Sequence, residues 1–198
     1  MIPVTLQPEP ADFDVKVRQK GLAWLASYRQ QHGKDPLASK LPSYWSASNE
    51  QLWEAYSRTC AYLAIYFEFA SGAASTDHFV AKSSDVDKAY DWNNYRLSCL
   101  APNRRKNKFS DVLDPIGLAP DTFALNLADG SMFPNPALPR AEAQAAKKTI
   151  NRLKLDSPGH RAMRLRHFNL YARGGIDSQT LKELSPFVWY EANRQNLL

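Results

Sequence analysis

Cysteine is nearly absent from this chain, with two in 198 residues. Two thiols cannot build a disulfide framework, so the fold is expected to rest on apolar packing, with both thiols reduced. No uninterrupted apolar run approaches the about 20 residues that a membrane helix needs. The longest candidate is broken by Glu68. The amino terminus shows no charged stretch followed by an apolar one, so no leader is expected. Internal repeats and low-complexity tracts are also lacking, which argues against solenoids and disordered tails. These absences lead to the expectation of a soluble, cytoplasmic protein with no membrane partner.

What is present argues for a folded chain. Hydrophobic residues make up 44% and aromatics 12% of the sequence, more than a disordered segment carries. The length suffices for one domain with its own core. The formal net charge is +5, and the cations are clustered. Arg104, Arg105, Lys106 and Lys108 form one group; Arg152, Lys154, Arg161, Arg164, Arg166 and His167 form another. Such patches suit a polyanionic partner. Solvated helix faces are the plainer alternative.

Taken in order, residues 1–12 read as a proline-rich extended arm. Apolar spacing predicts a helix over 13–31, stopped at His32-Gly33, with His32 a cap or surface residue. A loop over 34–47 leads to a second helix capped by Ser46 or Ser48. The aromatic and β-branched stretch 61–69 either leaves the preceding helix or continues it, and Gly72 ends it either way. Residues 95–99 alternate as a short strand, and Asn103 opens a basic helix or turn. Prolines, glycines and short apolar runs over 110–139 predict a small hairpin or an extended wrap. Asp114 reads as an Asp-Pro turn residue. Helices are then expected over 141–155, with Ala145, Ile150 and Leu153 on one side, from Ser157-Pro158 to Gly174-Gly175, and after Asp177 or Ser178.

Chemistry concentrates in residues 60–109. Asp77-His78 ends an apolar run, Trp92-Asn93-Asn94 leads into the short strand, and Asn103-Arg104-Arg105-Lys106 follows it. A carboxylate, an imidazole, a carboxamide and clustered cations can hold a divalent metal on a phosphodiester and activate a water. The order and spacing resemble the HNH, or ββα-metal, nuclease motif, with His78, Asn94 and Asn103 as its three residues. Asn93 is the rival for the middle position. Asp77-His78-Phe79, Lys82-Ser83, Leu97, Cys99 and Lys106 narrow the resemblance to the HNH subfamily of retron-linked and Septu-type antiviral systems.

The resemblance implies an α+β fold, a mainly helical single domain around a hairpin-helix core. Residues 1–59 would form an arm and helices, 60–115 the nuclease core, and 116–198 a wrapping segment with helices packed on it. It implies His78 as the base, Asn94 as the residue that holds the loop or orients the ring, and Lys106 as a third catalytic group. Asp77 and Asn103 would be the metal ligands, for Mg2+ or Mn2+. Lys82, Arg104, Arg105 and Lys108 would bind the nucleic acid, with double-stranded DNA the expected substrate. An ATPase subunit from the same defence operon is the implied partner. The competing expectation is an inactive, nuclease-derived nucleic-acid-binding or assembly subunit.

The chain departs from the subfamily at its zinc knuckles. Each Cys-x-x-Cys pair keeps its first cysteine, Cys60 and Cys99, and carries Leu63 and Pro102 at the second. Two thiolates cannot complete a tetrahedral zinc site, so no structural zinc is expected unless His160 or His167 is recruited. Elemental analysis of the purified protein is therefore expected to find far less than one zinc per chain. One equivalent of zinc would show that Cys60 and Cys99 have found other ligands.

Overall fold

The computed structural model describes residues 1–198. It is an α+β chain in which helices predominate and two small antiparallel sheets are present. Contacts divide it into two compact units. One comprises residues 6–58 and 68–110, and the other 1–5, 59–67 and 111–198. Residues 60–67 thus group with the carboxy-terminal part rather than with the hairpin expected to follow them.

In the first of these units a π-helical turn, Asp14–Arg18, continues as α1, Gln19–His32. Gly33 stops it in the left-handed conformation, with φ of 64°, which glycine adopts without steric cost. His32 is exposed, stacks on Tyr28 and bonds to its carbonyl. Short helical turns, Ala38–Lys40 and Tyr44–Ser48, lead to α2, Asn49–Ala55. Ser48 is at the N-cap position, but its hydroxyl donates to Trp45 O and accepts from no helix N–H.

β1, Ala74–His78, pairs antiparallel with β2, Tyr95–Cys99, in a register that sets Asp77 opposite Arg96 and His78 opposite Tyr95. α3, Leu100–Lys106, follows β2 directly, so Asn103 lies within the helix rather than opening it. Tyr95, Arg96, Leu97 and Ser98 are all buried, so β2 is covered on both faces despite its alternating sequence. Phe13 is fully buried and meets Trp92 and Tyr95 edge to face at 5.3 and 5.7 Å between ring centroids. These aromatics anchor the first helix on the loop that connects the strands.

In the other unit, residues 60–66 form a turn, not a helix. Thr59 bridges Tyr66, and Cys60 N donates to Ile65 O at 2.9 Å. The Leu63 N–H lies 3.5 Å from Cys60 Sγ, and Ala64 takes φ of 49°. Residues 61–68 thus leave the helix, but no strand follows until β1. Asp114 Oδ1 accepts from Ile116 N at 2.9 Å, an Asx-type turn.

β3, Phe123–Leu125, and β4, Met132–Pro134, form the second hairpin. Gly130 lies in its turn at φ of 72°, and a Cβ there would stand 2.2 Å from Arg161 O. α4, Arg140–Leu153, buries Ala146, Thr149, Ile150 and Leu153, shifted by one residue from Ala145. α5, Pro158–Ala172, is followed by α6, Ser178–Leu184, whose cap is the Asp177 carboxylate accepting from Thr180 N. A further helix, α7, Pro186–Arg194, begins after Ser185, where a single last helix was expected. Its fully buried Glu191 accepts from Leu125 N and from the Gln195 side chain.

Gly21 shows how closely α1 is packed. A Cβ at this position would stand 2.2 Å from the Tyr90 ring, whose hydroxyl is held on Pro42 O at 2.9 Å. Alanine favours helix over glycine by about 1 kcal/mol, but overpacking a tied ring costs about 1–3 kcal/mol. Gly21→Ala is therefore expected to lower the urea midpoint. A gain in stability would show that Tyr90 moves aside freely.

Candidate active site

β1 ends with two buried side chains, Asp77 and His78, at 2% and 7% exposure. A charged carboxylate and an imidazole are costly to bury unless partnered. Asp77 Oδ1 receives the Lys106 ammonium at 3.1 Å. The same Nζ donates to His78 O and Phe79 O, both at 2.9 Å. Lys106 is itself 1% exposed. An ammonium has three protons to give, and these three acceptors match them. The last turn of α3 is thereby fastened to the end of β1. Lys106, expected to face substrate, is turned inward as a clamp.

Asn94 fixes the next residue. Its Oδ1 accepts from Val80 N at 2.7 Å, while Nδ2 donates to Val80 O at 3.0 Å and Lys88 O at 2.9 Å. Its backbone carbonyl accepts from Phe79 N. Asn94 holds the loop, and its hydrogen bonds go to Val80 and Lys88 rather than to the His78 ring. Asn93 is exposed and donates its backbone N–H to Asp91, so the loop-holding position is Asn94.

The His78 ring has Nε2 on Ala89 O at 2.9 Å. A carbonyl only accepts, so Nε2 carries the proton and Nδ1 the lone pair. Trp45 and Tyr95 meet the ring edge to face at 4.9 and 5.0 Å. Tyr95 also donates to Ala89 O at 2.8 Å. Burial, then the Lys82 charge, push the imidazole pKa down to about 3, with the Ala89 hydrogen bond opposing and Lys106 adding a smaller push downward. His78 is neutral at pH 7.

Asp77, His78, Lys82, Ser83, Asn103, Arg104, Asn107 and Lys108 share the lining of one cavity of about 540 Å³. Asn103 Nδ2 donates to Ser75 Oγ and to Thr76 O, which leaves Oδ1 as its acceptor oxygen. Lys82 Nζ sits 3.9 Å from the centre of the Trp45 ring, and burial lowers its pKa. With Asp77 neutralised by Lys106, the cations Lys82, Arg104 and Lys108 give the cavity a positive field. Arg105 is exposed on α3 and lies outside the cavity lining. Cys60 and Cys99 are free thiols, buried and half-buried respectively, and neither lines the cavity.

Three residues were missed by sequence reasoning. Ser83 lies within the motif already noted. Asn107 follows Asn103 by one helical turn and adopts φ of 48°, so a look along that face would have found it. Trp45 gave no sequence signal, because only the fold brings its short helical turn to His78 and Lys82.

The chain matches no protein-family model, and no curated protein matches it.

The acid response of the fold tests the His78 environment. Its folded pKa is depressed below the unfolded value of 6.5. The unfolded state therefore binds the extra proton first. The associated stability is full above pH 6.5 and is lost as pH falls toward 3. His167, also depressed by burial, acts in the same direction. Urea midpoints at about pH 7.5 and about pH 4.5 should differ less in His78→Gln than in the parent. Equal differences would show that His78 is not buried neutral.

Proposed function

We propose that the protein is a metal-dependent endonuclease that hydrolyses phosphodiester bonds, with double-stranded DNA as substrate. One observation carries this reading. Asp77 and His78 from β1 and Asn103 from α3 line a single cavity together with Lys82, Arg104 and Lys108. The order β1, β2, α3, with Asp77-His78 closing the first strand, supports the HNH resemblance. By that resemblance the reading extends to a cytoplasmic role in anti-phage defence beside an ATPase subunit.

The donor chemistry at the cavity fits a hard divalent cation such as Mg2+ or Mn2+. Asp77, whose Oδ1 already receives Lys106, and Asn103 Oδ1 are hard oxygen ligands, and phosphate oxygens, which would also offset the positive wall, would complete the shell with waters. When bound there, the ion would supply charge stabilisation to the phosphate under attack.

His78 would take the proton of the attacking water at Nδ1, since Nε2 is committed to Ala89. Its low pKa keeps it unprotonated and ready, but also makes the imidazolium costly. A phosphodiester drawn to Lys82 offsets the repulsive charge that contributes to this depression, so the ring becomes a better base when substrate is present. Lys82, Arg104 and Lys108 would hold the phosphate backbone. Lys106 and Asn94 would act by fixing residues 78–80.

The burial of Asp77 and its pairing with Lys106 favour a second reading, in which the site binds nucleic acid without cleaving it. Plasmid nicking with Mn2+ separates the two. The parent is expected to nick, EDTA to stop it, and His78→Ala to lose roughly two to four orders of magnitude in rate while retaining DNA affinity. Cleavage by His78→Ala within a few-fold of the parent would remove His78 from the mechanism. No nicking by the parent, alone or with its operon partner, would favour the binding reading.

A further inference from the structure

α5 carries its side chains in an unusual arrangement. Its buried residues are Arg164 and His167, whereas Leu170 is 42% exposed and Leu165 half-buried. A surface helix ordinarily turns its leucines inward. Here Arg164 takes the inner position, donating from Nε to Gly130 O at 2.8 Å and from a terminal nitrogen to Leu155 O at 3.0 Å. The β3–β4 turn and the end of α4 are thereby tied together, and the leucines are displaced outward.

Ala162, Leu165, Arg166, Asn169, Leu170 and Arg173 line a shallow groove of about 310 Å³. α5 holds no carboxylate. Arg161 is paired with Asp156 and Arg152 with Asp111, but Arg166 and Arg173 have no ion pair. Arg166 on the helix and Arg173 at its C-cap are seven positions apart, about 10 Å along the axis and on one side.

We infer that this face docks an acidic amphipathic helix of a partner protein. Apolar residues of that helix would cover Leu165 and Leu170, and carboxylates about two turns apart would meet Arg166 and Arg173. A nucleic acid would satisfy the arginines but leave the leucines uncovered. A second copy of the chain, pairing α5 with itself about a twofold axis, would oppose arginine to arginine. The inference uses the carboxy-terminal unit alone and stands whether or not the cavity is a nuclease site.

The test is a fluorescence-anisotropy titration of the full chain. The probes are a synthetic helical peptide with two glutamates seven residues apart on its leucine face, the same peptide with lysines at those positions, and a single-stranded oligonucleotide. The glutamate peptide is expected to bind at least about tenfold more tightly than the lysine peptide, and Leu170→Asp to weaken it about tenfold. Arg166→Glu/Arg173→Glu should reverse the preference between the peptides. Thermal midpoints check that each variant folds, and Leu170→Ala serves as the milder variant. Absence of peptide binding, equal binding of the two peptides, or indifference to the double charge reversal would overturn the inference. Oligonucleotide binding lost in the double variant, with no peptide bound by the parent, would assign the face to nucleic acid instead.

Discussion

A single buried ammonium group organises the candidate site. Lys106 Nζ meets Asp77 Oδ1, His78 O and Phe79 O, all within 3.1 Å. An isolated buried cation costs several kcal/mol, and only full pairing offsets this. Lys106 therefore ties the position of α3 to that of β1 and fixes the chain as it leaves the strand. Asn94 continues the hold at Val80. Between them the two side chains hold residues 78–80, so the orientation of His78 follows from groups that need not touch substrate.

The electrostatic character of the cavity follows from the same clamp. Asp77 is neutralised from within, which leaves half-buried Lys82 and the exposed Arg104 and Lys108 to set the field. The imidazole, enclosed by Trp45 and Tyr95 and bonded through Nε2 to Ala89, is kept neutral by burial. A neutral imidazole beside a positive wall suits an anionic ligand.

Features written in local chemistry were legible in the sequence. Tyr95 and Leu97 marked β2, Gly33 marked the end of α1, and Ile150 and Leu153 marked the inner face of α4. Asp77, His78 and Asn103 were singled out before any geometry was known, and the fold brings them to one cavity. Features set by distant partners were not legible. The turn at 60–66 depends on the Thr59–Tyr66 bridge, and the grouping of 1–5 and 59–67 with 111–198 depends on contacts far apart in sequence. Lys106 read as one cation among several, because nothing in a basic run says which ammonium is enclosed. Trp45 belongs to the same class. The break between α6 and α7 was readable, since the residue before a proline resists helix, and Ser185-Pro186 was passed over.

The claim that the Lys106 clamp organises the site is tested most directly by a double-mutant cycle on Lys106→Met and Asp77→Asn. Breaking one side of a buried pair is expected to cost about 3–5 kcal/mol of unfolding free energy. The double variant should recover part of that loss, giving a coupling of roughly 1–3 kcal/mol. His78 should also lose its depressed pKa in Lys106→Met, read by NMR titration of the ring, as the strand end loosens and water enters. Effects that add to within about 0.5 kcal/mol, together with an unchanged His78 titration, would contradict the account.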